Sequence, residues 1–206
     1  MGTTLDVINE WASDSEEKQH KVKTHTGLVL RLLNQAQLRF ADKSEILRGS
    51  WSPTITSTGN IDLPSDFIRE FPDMIKKDSG STLNYPLQRI DYWQAVNGTF
   101  YETAFYSIYN GKLYVWAAGA LTPTVPYVKK PAIVTTLTST DLEVPTQYHS
   151  RIVFYMNIKW EKMEGKIDFA TENAMLEKFD QQAGLDGFKS RERTDNIPRT
   201  RAVLLG

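Results

Sequence analysis

The 206-residue chain carries 24 basic against 25 acidic side chains for a net charge of -1, with 40% apolar and 24% charged residues. That is the composition of a globular protein with a sizeable core, and it excludes a surface that tracks nucleic acid or anionic lipid over its whole extent. Cysteine is absent, which excludes disulfide staples, thiolate catalysis and zinc sites built on sulfur.

The first residues, MGTTLDVINEWAS, hold acids and no basic stretch before an apolar run, so they do not read as a secretory signal. No apolar run approaches bilayer length, and the expectation is a soluble compartment. Thr4 is the expected N-cap of a short helix carrying Leu5, Ile8 and Trp11 at helical spacing, interrupted by Ser13, Asp14 and Ser15. A longer helix is expected over residues 17–39, with Val22, Val29, Leu32, Leu33, Ala36 and Phe40 forming one stripe and Gly27 weakening its middle.

The period then changes. Residues 51–55 and 60–63 are rich in β-branched side chains around a Thr-Gly-Asn turn signal and predict two short strands paired with each other. LPSDF predicts one helical turn up to Phe71, residues 74–77 and 87–90 further strands, and DYWQAVNG a short helix closed by Asn97-Gly98. AFYSIYNGKLYVWAA is the clearest hairpin signal, with Asn110-Gly111 between two alternating aromatic and β-branched runs. Residues 127–130 predict another strand, kept from central sheet by Pro123, Pro126 and Pro131.

After LEVP the helical period returns. Pro145 opens a helix through Ile152, Tyr155, Met156, Lys159, Trp160 and Met163 that ends at Gly165. A second follows over 167–182 and is expected to stop at Gly184. The remaining residues, 186–206, hold Lys189, Arg191, Arg193, Arg199 and Arg201 against Asp186, Glu192 and Asp195, so they are net +2 and the rest of the chain is net -3. They end in Ala202, Val203, Leu204 and Leu205, an apolar tip that water does not favour, which points to a segment ordered by a partner. The expected architecture is α+β: a discontinuous helical bundle from residues 1–49 and 145–185, a small antiparallel β domain inserted at 50–144, and an extended C-terminal arm at 186–206.

Catalytic and ligand chemistry finds little support. His20 and His25 are five apart, which does not align them on one helix face as a zinc pair needs, and His149 reads as a packing or capping residue at a helix start. No phosphate-binding loop, dinucleotide fingerprint, nucleophile elbow or HExxH motif occurs. Glu161 and Glu164 share a helix face but alternate with Lys162 and Lys166, as on a solvated surface. Trp51, Trp93, Trp116 and Trp160 lack the interleaved basic residues of a base-stacking platform and read as sheet core and inter-subunit contact. No catalytic, cofactor-binding or metal residue is assigned, and no cofactor is expected.

Trp51-Ser52-Pro53, Leu63-Pro64-Ser65-Asp66-Phe67, Gly111-Lys112-Leu113-Tyr114-Val115-Trp116 and the run LEVPTQYHSRIVFYMNIKWEKMEG beginning at Leu142 occur in an order that resembles the head-to-tail connector (adaptor) proteins of tailed bacteriophages, especially short-tailed ones. The resemblance implies a virion protein of the neck, assembled in the host cytoplasm. It implies a homo-oligomeric ring of twelve copies beneath the portal protein, a β insertion facing a tail or nozzle protein, and a channel passing DNA without sequence-specific grip. It also implies a C-terminal arm that binds the portal, here through Lys189, Arg191, Arg193, Arg199, Arg201, Val203, Leu204 and Leu205. The alternative is a nucleic-acid-binding or packaging accessory protein using the same basic tail on phosphate. A third possibility is a hydrolase built on Glu161 or Glu164 with His149.

Overall fold

The computed structural model describes residues 2–56, 59–71, 87–97, 104–117, 119–137 and 141–195. Their helices are α1 (Thr4–Ala12), α2 (Glu16–Thr24), α3 (Thr26–Ser44), α4 (Tyr92–Asn97), α5 (His149–Met163) and α6 (Phe169–Asp195). Their strands are β1 (Arg48–Trp51), β2 (Gly59–Asp62), β3 (Phe67–Glu70), β4 (Gln88–Arg89), β5 (Phe105–Tyr109), β6 (Lys112–Trp116) and β7 (Val125–Lys129). The class is α+β, as the two periods of the sequence predict. The chain divides into two compact units, one of Met1–Leu47 and Pro131–Gly206, the other of Arg48–Lys130. No described helix is long and apolar enough to cross a membrane.

The helical unit starts with a capping box one residue earlier than expected. Thr3, not Thr4, is the cap: its hydroxyl accepts from the Asp6 N–H at 3.2 Å, and the Asp6 carboxylate accepts from the Thr3 N–H at 2.8 Å. The shift turns Thr4, Val7, Ile8, Trp11 and Ala12 inward. Trp11 meets Trp160 edge to face at 5.6 Å. Lys18 is buried beside them, bonded to Asp14 and to Asn157, both at 2.8 Å, so its charge is paired and its stem packs.

The helix expected over 17–39 is two helices. They break at His25 (φ -132, ψ 45), which is both the C-cap of α2 and the N-cap of α3. Thr24 and Thr26 flank it and donate their hydroxyls back to the His20 and Val22 carbonyls at 2.9 and 3.0 Å, and Gly27 follows. Two threonines that bond to the preceding turn, next to a glycine, are where helix propagation is weakest. The stripe of α3 (Val29, Leu32, Leu33, Ala36, Phe40) packs with Ile152, Met156 and Trp160 of α5 and Phe179 of α6 into one core.

In the β unit the strand pairings are not those of the sequence expectation. Residues near 51 and 60 do not pair with each other: β1 pairs with β7 and β2 with β6, all antiparallel. LPSDF forms a turn and then β3, which also pairs with β7. β7 is therefore the middle strand of the sheet β1-β7-β3 despite Pro126. The Pro126 carbonyl accepts from the Phe71 N–H at 3.1 Å, which puts Phe71 opposite Pro126, and the return bond that proline cannot make falls just where β3 ends. The second sheet runs β2-β6-β5-β4, and β4 is parallel to β5. The β5–β6 hairpin turns at Asn110 (φ 47) and Gly111 (φ 73) with Tyr109 opposite Lys112, as its sequence requires. Tyr106, Leu113 and Val115 face a core with Ile55, Leu121 and Val125. On the other face Tyr92 of α4 stacks on Tyr109 at 4.4 Å and meets Tyr114 at 4.8 Å, leaving Trp93 59% exposed. The strand expected at 74–77 and the Gly98 cap lie outside the described residues.

Candidate partner-docking site at the C-terminal end of α6

The expectation that this helix stops at Gly184 and an arm begins at Asp186 is overturned: α6 continues to Asp195. Asp168 starts it by accepting from the Thr171 N–H at 2.7 Å, and the Thr171 side chain and backbone hold its carboxyl below the ordinary carboxylate range. Lys159 of α5 pairs with Glu172 at 2.6 Å. Arg39 of α3 grips Asp180 with two bonds, at 2.8 and 2.9 Å, and this hydrogen bonding shifts its guanidinium further toward the protonated form. Arg151 of α5 reaches both Asp186 at 2.9 Å and Gln182 at 3.0 Å. Lys159–Glu172 and Arg151–Asp186 make α6 antiparallel to α5, and Arg39–Asp180 with the approach of Gly184 to the Lys43 carbonyl makes it parallel to α3.

The glycines that read as stop signals instead bring helices together. Gly187 is buried, and a Cβ there would collide with the Ser44 carbonyl at the end of α3. At Gly184 the nearest such atom, the Lys43 carbonyl, is 3.9 Å away. Just past Ser44, Glu45 takes a left-handed conformation (φ 55) as the C-cap of α3, and Arg191 pairs with its carboxylate at 2.8 Å. The last described turns of α6 are thus fixed to α3.

The predicted docking residues therefore separate. Arg191 belongs to the folded body through Glu45, and Lys189 is exposed on α6. Arg193 is also on α6. Arg199, Arg201, Val203, Leu204 and Leu205 lie outside the described residues. Beside Lys189, Leu185 and Phe188 stand 59% and 54% exposed, three residues apart on one face of α6. Sequence reasoning missed Leu185, Phe188, Glu45 and Gly187. The two glycines spaced three apart were the available sign that one face of α6 lies close to another backbone.

The three residues of the possible hydrolase do not converge. His149 begins α5, buried with Nε2 2.9 Å from the Val144 carbonyl, while Glu161 and Glu164 lie at its far end, roughly 18 Å or more along the axis at 1.5 Å per residue. His25 sits at the α2–α3 joint, with Nδ1 2.8 Å from the Thr24 hydroxyl.

None of the curated proteins compared with the chain matches it. The family model described as SU10 adaptor protein matches residues 3–203, through both compact units and α6. The chain belongs to that family, which is the phage adaptor class that the order of its motifs resembles.

Proposed function

We propose that this member of the SU10 adaptor family is the virion neck component that joins the portal to the tail, as a ring of copies around a DNA channel. The match across 3–203 carries the proposal, because it takes in both units and most of the C-terminal segment rather than one motif. Twelve copies and a tail or nozzle protein bound to the β unit are the arrangement we propose for it. Portal contact is assigned to the chain beyond the fixed part of α6, through Arg193, Arg199, Arg201, Val203, Leu204 and Leu205, with Lys189 at its base. Arg191 is withdrawn from that set, since it is paired with Glu45. Ordering three apolar side chains on a partner contributes about 1.5 to 3 kcal/mol each before ordering costs. Repetition around a ring then makes weak single arms into a durable joint.

The test is co-sedimentation with portal-containing particles of the intact chain and of a chain ending at Asp195, at low and high salt. Saturable binding by the intact chain alone is the expected result. Failure of both to bind, with salt-sensitive binding of the intact chain to free DNA, would replace this proposal by a phosphate-binding role for the tail.

A further inference from the structure

α6 has two faces of different character. Leu176, Phe179, Ala183 and Gly187 are buried against the rest of the helical unit, whereas Leu185 and Phe188 are exposed and belong to neither described core cluster. Single exposed apolar residues are ordinary, but these two adjoin on one helix face. Glu192 and Asp195 follow at helical spacing, so positions 185, 188, 192 and 195 fall within about 80° of one another at 100° per residue. From the end of α6 inward the order along this stripe is acid, acid, apolar, apolar.

The chain that follows carries the complementary order. Alternate residues of an extended segment share a face, so Arg199, Arg201, Val203 and Leu205 line up as base, base, apolar, apolar. Pro198 stands immediately before them and disfavours helical backbone at Ile197, which opposes a straight continuation of α6. The lengths also agree. From Asp195 back to Leu185 is about 15 Å of helix axis at 1.5 Å per residue, and from Arg199 to Leu205 is about 20 Å of extended chain at 3.3 Å per residue. A segment that reverses at residues 196–198 therefore comes level with Phe188 and Leu185 at Val203 and Leu205.

We propose that residues 199–205 fold back along this stripe of their own helix, Arg199 and Arg201 against Asp195 and Glu192, Val203 and Leu205 over Phe188 and Leu185. This rests on the portal docking proposed above and adds a regulation to it, since the residues assigned to the portal are the ones held on α6. The contact keeps the apolar tip out of water in the free chain, and the portal takes the arm only by displacing it. The arm of a second copy has the same chemistry, but the chain's own arm is tethered next to the stripe at an effective concentration on the order of millimolar.

The chain has no cysteine, so a nitroxide on Gly206→Cys reports the position of the arm alone. In the full chain without portal it should strongly broaden the N–H signals of Leu185 and Phe188, to the same extent at all protein concentrations. Val203→Ser with Leu205→Ser should remove the effect, and Arg199→Glu with Arg201→Glu should reduce it. Isotope-labelled chain without nitroxide, mixed with unlabelled chain that carries it, should show no broadening; broadening there would overturn the proposal in favour of a second copy. Sharp signals at both positions in every sample would overturn it outright. Leu185→Ser with Phe188→Ser, two exposed changes, should bind portal-containing particles several-fold more tightly than the parent, because the competing closed state is lost. Equal affinity would show that the arm is not held back. If the parent binds the particles while its signals stay sharp, the fold-back fails and the portal reading stands; broadening in a chain that binds no particles means the reverse.

Discussion

Gly184 and Gly187 are one turn apart on the same helix and answer the same substitution in opposite ways. A methyl at Gly187 meets the Ser44 carbonyl, a backbone atom that moves only if α3 moves. Gly187→Ala should therefore destabilise the helical unit by about 1 to 3 kcal/mol. Gly184→Ala finds ordinary contact distance and gains helix propensity, so it should stabilise by roughly 0.5 to 1 kcal/mol. Urea unfolding of the two variants checks both signs. Asp6 offers a second residue-scale prediction. The Thr3 backbone N–H, and then the Thr3 side chain, lower its folded carboxyl below the ordinary value. That contribution is complete above the unfolded value of about 3.9 and is lost as pH falls through the folded one. Asp168 follows the same rule through Thr171. Melting temperature measured from neutral pH into acid should fall less steeply in an Asp6→Asn, Asp168→Asn chain than in the parent. Equal slopes would show that neither cap titrates as described.

For whole elements, the length of α6 decides where the folded body ends. A chain ending at Gly187 loses the Arg191–Glu45 pair and the last two turns, whereas one ending at Asp195 keeps every described contact of α6. Thermal unfolding should show the shorter chain clearly less stable and the longer one close to the parent. If the two melt alike, the end of α6 does not hold to α3. The elements also show what the sequence could convey. α1, α5 and the β5–β6 hairpin were legible because caps, 3.6-residue periodicity and the Asn110-Gly111 turn are local signals. The end of α6 was not, because Gly184 and Gly187 carry a stop signal locally and a packing role only beside Ser44. The pairing of β1 with β7 was also hidden, since strand partners are chosen by contacts spanning the entire β unit. Of the docking set, the sequence showed the basic and apolar chemistry but not that Glu45 already occupies Arg191.

At the scale of the whole molecule, the β unit leaves and re-enters the helical unit by neighbouring strands, with Arg48 opposite Val128 in the β1–β7 ladder. Its ends are thus close enough for a short bridge. Replacing Arg48–Lys130 by a few glycines should leave a chain that keeps its helical far-ultraviolet dichroism and melts cooperatively, because the buried residues of the helical core come from α1, α3, α5, α6 and the segment of Leu142 and Val144, all outside the β unit. A non-cooperative melt would show that the helical unit depends on the β unit.

The three arginine pairs of α6 have a mechanical consequence. Arg39–Asp180, Arg151–Asp186 and Arg191–Glu45 tie the helix at successive levels to two different neighbours. Each is a modest thermodynamic contribution when partly exposed. Tension applied along α6 from its C-terminal end loads them in shear, side by side, with the interlocked Gly187–Ser44 contact resisting sliding. They must then yield together rather than in sequence, so a pull on the tail is borne by the whole helical unit instead of unzipping its last helix.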